Sequence, residues 1–132
     1  MKVLVMGCGR VGAMVSTALW EEGHTVAVLD TNAESFRRLP PELQGQATVG
    51  DGMLEDDLRR AGVVGMDVFI AVAARDTTNA LAAQMAKHIF RVHKVVCRLD
   101  DPQRYAMYTK LGLEAVSPTQ LVSDLILEAV RG

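Results

Sequence analysis

Apolar residues gather in short, largely unbroken runs at Lys2–Met6, Thr25–Leu29, Asp67–Ala74 and Val95–Leu99, separated by stretches in which apolar and polar residues alternate at helical spacing. Short β-branched and aliphatic runs of this kind are the signature of strands covered on both faces. Lys2–Met6 stops at the glycine turn Gly7–Gly12 before a helix-like stretch Ala13–Glu22, and Gly23 stands where a helix end favours a left-handed residue. With Thr25–Leu29 ending at Asp30, this makes one strand–helix–strand unit of about 30 residues. The pattern then predicts a short helix over Ala33–Leu39 stopped by Pro40-Pro41, a strand at Ala47–Val49 running into Gly50-Asp51-Gly52, and a helix over Leu54–Ala61 closed by Gly62. Beyond it follow the strand Asp67–Ala74, a long helix Thr77–Val92, the strand Val95–Leu99, a helix Pro102–Leu111 stopped at Gly112, a short strand Ala115–Val116, and a last helix Thr119–Val130 capped by Ser117-Pro118.

Strands alternating with helices imply right-handed crossovers and hence an α/β, doubly wound Rossmann-like parallel sheet with helices on both faces. The 132 residues, 49% of them hydrophobic, suffice for one core and are too few for two ordinary domains, so 1–132 reads as a single domain. A formal charge of −2 supplies no positive field for a nucleic acid backbone, and nucleic acid is not an expected partner. No apolar run approaches the roughly 20 residues needed to cross a bilayer. The first run begins directly after Lys2, which leaves no room for a signal peptide, so a cytoplasmic location is expected. Cys8 and Cys97 are the only cysteines and show none of the clustering of a zinc site or a disulfide scaffold.

Ligands of doubly wound sheets bind beyond the carboxyl ends of the strands, where the strand order reverses. Gly7 permits the tight turn, Gly9 lets backbone approach a pyrophosphate, and Gly12 lets helix and strand pack closely; the helix start then aims free N–H groups at the phosphates. A Gly-x-Gly-x-x-Gly loop alone is weak. Here it follows a strand, opens a helix, and is followed by Asp30 at the end of the next strand, beside Thr31, which together make the dinucleotide fingerprint. Asp30 can accept both hydroxyls of an adenosine ribose, and its charge opposes a 2′-phosphate, favouring NAD or an adenine nucleotide over NADP. Arg10 is either a phosphate contact or a solvated arginine, Asp51 either an acceptor for the adenine amino group or a turn residue. Ala73-Ala74 offers small residues beside the ligand, and Asp76 or Thr77 reads as a helix cap.

Gly7–Gly12, Asp30, Gly50-Asp51-Gly52, Val68–Ala74 leading to Asp76 and Asn79, Arg98 with Asp101-Pro102, and Gly112–Pro118 together resemble the nucleotide-binding half of regulator-of-potassium-conductance domains, also called KTN or TrkA-N domains. The likeness covers essentially the whole chain and is most specific in Gly-Cys-Gly-Arg-Val-Gly and Gly-Leu-Glu-Ala-Val-Ser-Pro. It implies a cytoplasmic regulatory subunit at the inner face of the membrane, a homodimer that can enlarge to a ring, gating a potassium transporter or channel. It further implies NAD or NADH, alternatively ATP or ADP, held by Gly7, Cys8, Gly9, Arg10, Val11, Gly12, Asp30, Thr31, Asp51, Gly52, Ala73, Ala74 and Arg98, with no metal and no catalysis. The chain departs from the family pattern in having Asp76-Thr77 where an Asp-Glu pair is common.

The rival reading is the cofactor-binding domain of an NAD-dependent oxidoreductase, which the same fingerprint opens. Hydride transfer needs an acid or base facing the nicotinamide, and His24, His88 and His93 fall in turns or at a helix end, where they read as surface or capping residues. Cys8 could be a redox-sensing thiol near a helix N-terminus, although packing in the loop is the better reading; Cys97 and the seven methionines read as core. In the last helix Leu121, Leu125 and Ala129 form one apolar stripe and Val122, Ile126 and Val130 the next, a face wide enough to predict a homodimer contact, with Tyr105 and Tyr108 as candidate neighbours.

Overall fold

The computed structural model describes residues 1–132, and its sheet has six parallel strands in the order β3-β2-β1-β4-β5-β6. The strands are β1 (Lys2–Met6), β2 (Thr25–Asp30), β3 (Ala47–Val49), β4 (Val68–Ala71), β5 (Lys94–Arg98) and β6 (Glu114–Val116). The helices are α1 (Arg10–Glu21), α2 (Pro41–Gln44), α3 (Glu55–Arg60), α4 (Asp76–His88), α5 (Pro102–Lys110) and α6 (Pro118–Arg131), with a 3-10 turn over Ala33–Arg38. The order reverses between β1 and β4, so the crevice of a doubly wound sheet lies above those two strand ends.

Two cores sandwich the sheet, and β1 shows why. Leu4 and Met6 face one side with Phe69, Leu58 and the small residues Ala80, Ala83 and Ala86 of α4; Val3 and Val5 face the other with Val26, Val28, Ala13 and Leu43. All four β1 side chains are at most 3% exposed, which is why the strand carries no polar alternation. The alanine face of α4 lets that helix lie close to β4 and β5.

The element boundaries differ from the sequence pattern by more than a residue at four places, each for a local reason. Helix α1 begins at Arg10 rather than Ala13, because extended Gly9 (φ −73°, ψ −165°) already serves as its N-cap. Pro40-Pro41 ends the 3-10 turn but also opens α2, since proline at the first helical position has no N–H to lose. Strand β4 stops at Ala71; Val72 still packs on the core, and Ala73 and Ala74 line the crevice. Helix α4 stops at His88, and Arg91 takes a left-handed φ of 56°, returning Val92 to the core.

Helix α6 is different in kind. None of its residues is buried, and Leu121, Val122, Leu125, Ile126, Leu127 and Val130 are each at least 45% exposed. Tyr105 and Tyr108 are half-buried against the core, and Tyr105 also lines a groove with Leu121 of α6.

Candidate functional site

The glycine loop is shaped by close backbone approach. Gly7 adopts φ 110°, and a Cβ there would lie 2.6 Å from the Ala73 nitrogen. A Cβ on Gly12 would lie 1.8 Å from the Gly7 carbonyl oxygen, so α1 can start only if Gly12 is bare. Gly9 has nothing within 4 Å of its would-be Cβ and carries no capping side chain, leaving the first turn of α1 open to the space above it. The loop is tied down by Asp30: one carboxylate oxygen accepts from the Cys8 N–H at 2.7 Å, the other from the Asn32 N–H at 2.8 Å. Each oxygen keeps a free lone pair for a hydroxyl.

Beside β2, the turn Gly50-Asp51-Gly52 is equally ordered. The Gly50 N–H donates to the Asp30 carbonyl at 3.0 Å, and the Asp51 carboxylate accepts from the Met53 N–H at 2.9 Å. The Asp51 N–H in turn donates to Asp57 at 2.8 Å; this bond, aided by Arg60, holds the Asp57 carboxyl below its ordinary value of 3.8. Gly52 is bare because a Cβ would strike Met6 Cγ at 2.6 Å.

These turns enclose a cleft of about 250 Å³. Of the residues expected at the site, Gly7, Asp30, Thr31, Asp51, Gly52, Ala73 and Ala74 line it. Gly9, Val11 and Gly12 form the loop and first helical turn that border it. Cys8 lies beneath the loop: its thiol donates to the Ser35 carbonyl at 3.4 Å, and burial, with Asp30 adding, pushes its pKa up, partly offset by Arg38. That thiol is packing, not a lowered-pKa sensor. Arg10 points to the outer side of α1, where with Arg38 it lines a separate groove of about 630 Å³. Arg98 is not brought to the cleft, because its guanidinium pairs with Asp100 at 2.7 Å at the end of β5, which holds its pKa up.

Six further residues line the cleft, Leu29 and Gly50 at the ends of the strands among them. Met53 and Thr78 meet across its mouth, the hydroxyl 3.7 Å from the thioether sulfur, while Met6 forms part of the wall and Arg75 is the one cation lining it. No sequence signal marks Met6 or Met53. Arg75 and Thr78 flank the predicted helix start, which is the only hint available.

Asn79 and Asp76 do not cap α4 but bolt its start to β5. Asn79 is 1% exposed and its amide donates to the carbonyls of Ala73 at 2.9 Å and Arg98 at 3.0 Å, while its oxygen accepts from the Ala73 N–H at 2.8 Å. The Asp76 carboxylate accepts from the N–H groups of Asp100 at 2.8 Å and Asp101 at 3.0 Å. The chain of contacts continues to Ser117, whose hydroxyl donates to the Asp100 carbonyl and accepts from the Gln120 N–H, each at 3.2 Å, capping α6.

Residues 3–118 match the TrkA-N domain family. The chain is 40% identical over 127 residues to the Trk system potassium uptake protein TrkA of Streptomyces coelicolor, covering 96% of this chain and 57% of that protein. It is 32% identical over 111 residues to a TrkA homolog of Pyrococcus abyssi, covering 84% of this chain and 49% of the relative. The chain thus spans about half the length of these two relatives. Among solved structures, the TrkA-N domain of inner membrane protein ybaL from Escherichia coli superposes with TM-score 0.83 at 18% identity, covering 97% of this chain and 95% of that one. The GsuK channel bound to NAD superposes with TM-score 0.78 at 18% identity, covering 95% and 22%; GsuK bound to ADP gives the same score and identity, covering 95% and 32%. These structural likenesses establish the fold.

Proposed function

The chain belongs to the TrkA-N domain family, and on that premise we propose that it is a regulatory nucleotide-binding unit that gates a membrane potassium transporter or channel without catalysing a reaction. The observation that carries the reading is the open first turn of α1 at the border of a cleft whose far wall holds Asp30. An adenine nucleotide fits that arrangement by parts. The ribose hydroxyls meet the free lone pairs of Asp30, beside Thr31; the adenine lies against Gly52 and Asp51; the phosphates cross Gly9 to the N–H groups of Arg10, Val11 and Gly12, where the helix end carries about half a positive charge. Cys8 supports the loop from below, Ala73 and Ala74 leave room on the β4 side, and Arg10 contributes its backbone N–H while its side chain lies in the outer groove. Arg98 has no direct part in this account.

NAD or NADH, or ATP or ADP, all share the half that this cleft accommodates, and Asp30 disfavours NADP. Binding of NAD and of ADP by GsuK supports the same choice here. The oxidoreductase alternative gains nothing from the geometry: the two carboxylates lining the cleft are engaged with backbone N–H groups, and no histidine lines it. Regulation requires ligands that bind two states unequally, and a tenfold difference in affinity supplies about 1.4 kcal/mol. The exposed apolar face of α6 is the natural homodimer surface, and the location is the cytoplasmic side of the membrane, through the transporter. Isothermal titration with NAD, NADH, ATP, ADP and NADP tests the reading. Binding of at least one of the first four with NADP rejected is expected, and binding of none would overturn it.

A further inference from the structure

Asp30 and Asp51 stand on the β2 and β3 side of the cleft, and both bring negative charge to a site meant for a phosphorylated ligand. The α1 N-terminus alone offers about half a positive charge against them. A cation facing the cleft would offset the two carboxylates, and Arg10, the arginine of the glycine loop, lines the outer groove instead. Arg75 is the only basic side chain in the cleft lining, and it stands on the β4 side, opposite the two carboxylates.

We propose that Arg75 is the phosphate-binding side chain of this cleft and the residue by which the protein distinguishes a nucleotide from its nucleoside; the assignment rests on the nucleotide-binding reading above. Three features support it. Its loop abuts the glycine turn directly, since Gly7 has room for no Cβ against Ala73, so a group crossing Gly9 passes the rim that carries Arg75. Its backbone is fixed: the Asn79 N–H donates to the Arg75 carbonyl at 3.0 Å, the Asn79 side chain clamps Ala73, and Asp76 is bonded to the start of α5. Its guanidinium is exposed and forms no ion pair or hydrogen bond within the chain, so nothing must be broken before it meets a phosphate. A planar guanidinium presented from a rigid loop offers two parallel N–H groups to a phosphoryl oxygen pair, which a lysine cannot.

The test is a titration of the wild-type chain and of Arg75→Ala and Arg75→Lys with adenosine, AMP and ADP at low and physiological salt. Wild type is expected to bind ADP more tightly than adenosine. Arg75→Ala should weaken ADP about tenfold or more, as loss of a charge-assisted hydrogen bond does, while changing adenosine by less than about twofold. Arg75→Lys should restore part of the loss, and salt should weaken ADP binding to wild type more than to Arg75→Ala. Unchanged ADP binding by Arg75→Ala, or an equal loss for adenosine and ADP, would overturn the assignment while leaving the nucleotide-binding reading in place. A wild-type chain that binds none of the three would overturn the assignment, and failure with NAD, NADH and ATP as well would overturn the nucleotide-binding reading with it. Matching thermal melts of the variants confirm that the fold is intact, as an exposed and unbonded side chain predicts.

Discussion

Gly9 and Gly12 stand three residues apart in one motif, yet the structure assigns them opposite duties, and alanine at each separates scaffold from binding. At Gly12 the added methyl would sit 1.8 Å from the Gly7 carbonyl oxygen and 3.3 Å from Val72 Cγ2. The first neighbour is backbone, held where it is by the Gly7 N–H bond to the Leu29 carbonyl at 2.8 Å, so it cannot yield cheaply. Overpacking against rigid neighbours costs about 1–3 kcal/mol, with this contact at the upper end. Alanine in a helix returns at most about 1 kcal/mol. The net loss of about 2 kcal/mol or more corresponds to a fall in Tm of roughly 6–10 °C for a domain of this size. At Gly9 nothing lies within 4 Å and φ is −73°, so Gly9→Ala should cost less than about 1 kcal/mol, the scale of an altered N-cap. That methyl nevertheless occupies the face over which phosphates reach α1, and nucleotide affinity should drop at least about tenfold, the 1.4 kcal/mol of one lost contact. Calorimetric melts and titrations with ADP on both variants decide the matter. A Gly12→Ala chain that melts like wild type would refute the close-approach argument, and a Gly9→Ala chain that binds normally would remove the phosphate path.

Asn79→Ala strips buried partners from the Ala73 N–H and the Arg98 carbonyl and should cost about 2–4 kcal/mol, read as a lower urea midpoint at unchanged slope; a loss under about 1 kcal/mol would show that the bridge between the loop after β4 and the end of β5 is not structural. The Cys97 thiol is pushed up to about 11 and Cys8 above its ordinary 9.0, mainly by burial, so the native chain at pH 8 should resist iodoacetamide until it unfolds; rapid native labelling at Cys8 would restore the redox alternative. Ile126, 57% exposed on α6, is the place to test assembly: sedimentation should find wild type larger than a monomer and Ile126→Asp shifted toward one, whereas a wild-type monomer at micromolar concentration contradicts the interface.

How much of this was legible in the chain depends on whether the cause is local. Gly7, Gly12 and Asp30 could be read because a positive φ, a helix packed against its own strand and a carboxylate at a strand end are demands made within one strand–helix–strand unit. The doubly wound parallel sheet followed from alternation, whereas the order β3-β2-β1-β4-β5-β6 is visible only in the structure. What could not be read depends on a neighbour distant in sequence. Asn79 looks like an ordinary polar residue in a first helical turn until β5 is placed beside it, when its amide proves to join the loop after β4 to the end of β5. Arg98 was placed at the site by resemblance, yet Asp100, two residues on, captures its guanidinium. Arg75 is invisible because its importance lies in which carboxylates face it across the crevice. The early end of α4 turns on a single left-handed residue, Arg91, in a stretch whose apolar pattern continues through it.

The contacts from Asp76 through Asp100 to Ser117 run along the polar rim of the sheet and bypass both hydrophobic cores. They end at the fixed base of α6, a 14-residue rod otherwise unanchored to the body. Such a rod is about 21 Å long, so its base behaves as a fulcrum: a swing of roughly 10° there carries the far end through about 3.5 Å by the same rise per residue. The displacement is amplified by leverage, and a rim adjustment too small to disturb the packed interior becomes, at the tip of α6, a movement as large as an atom.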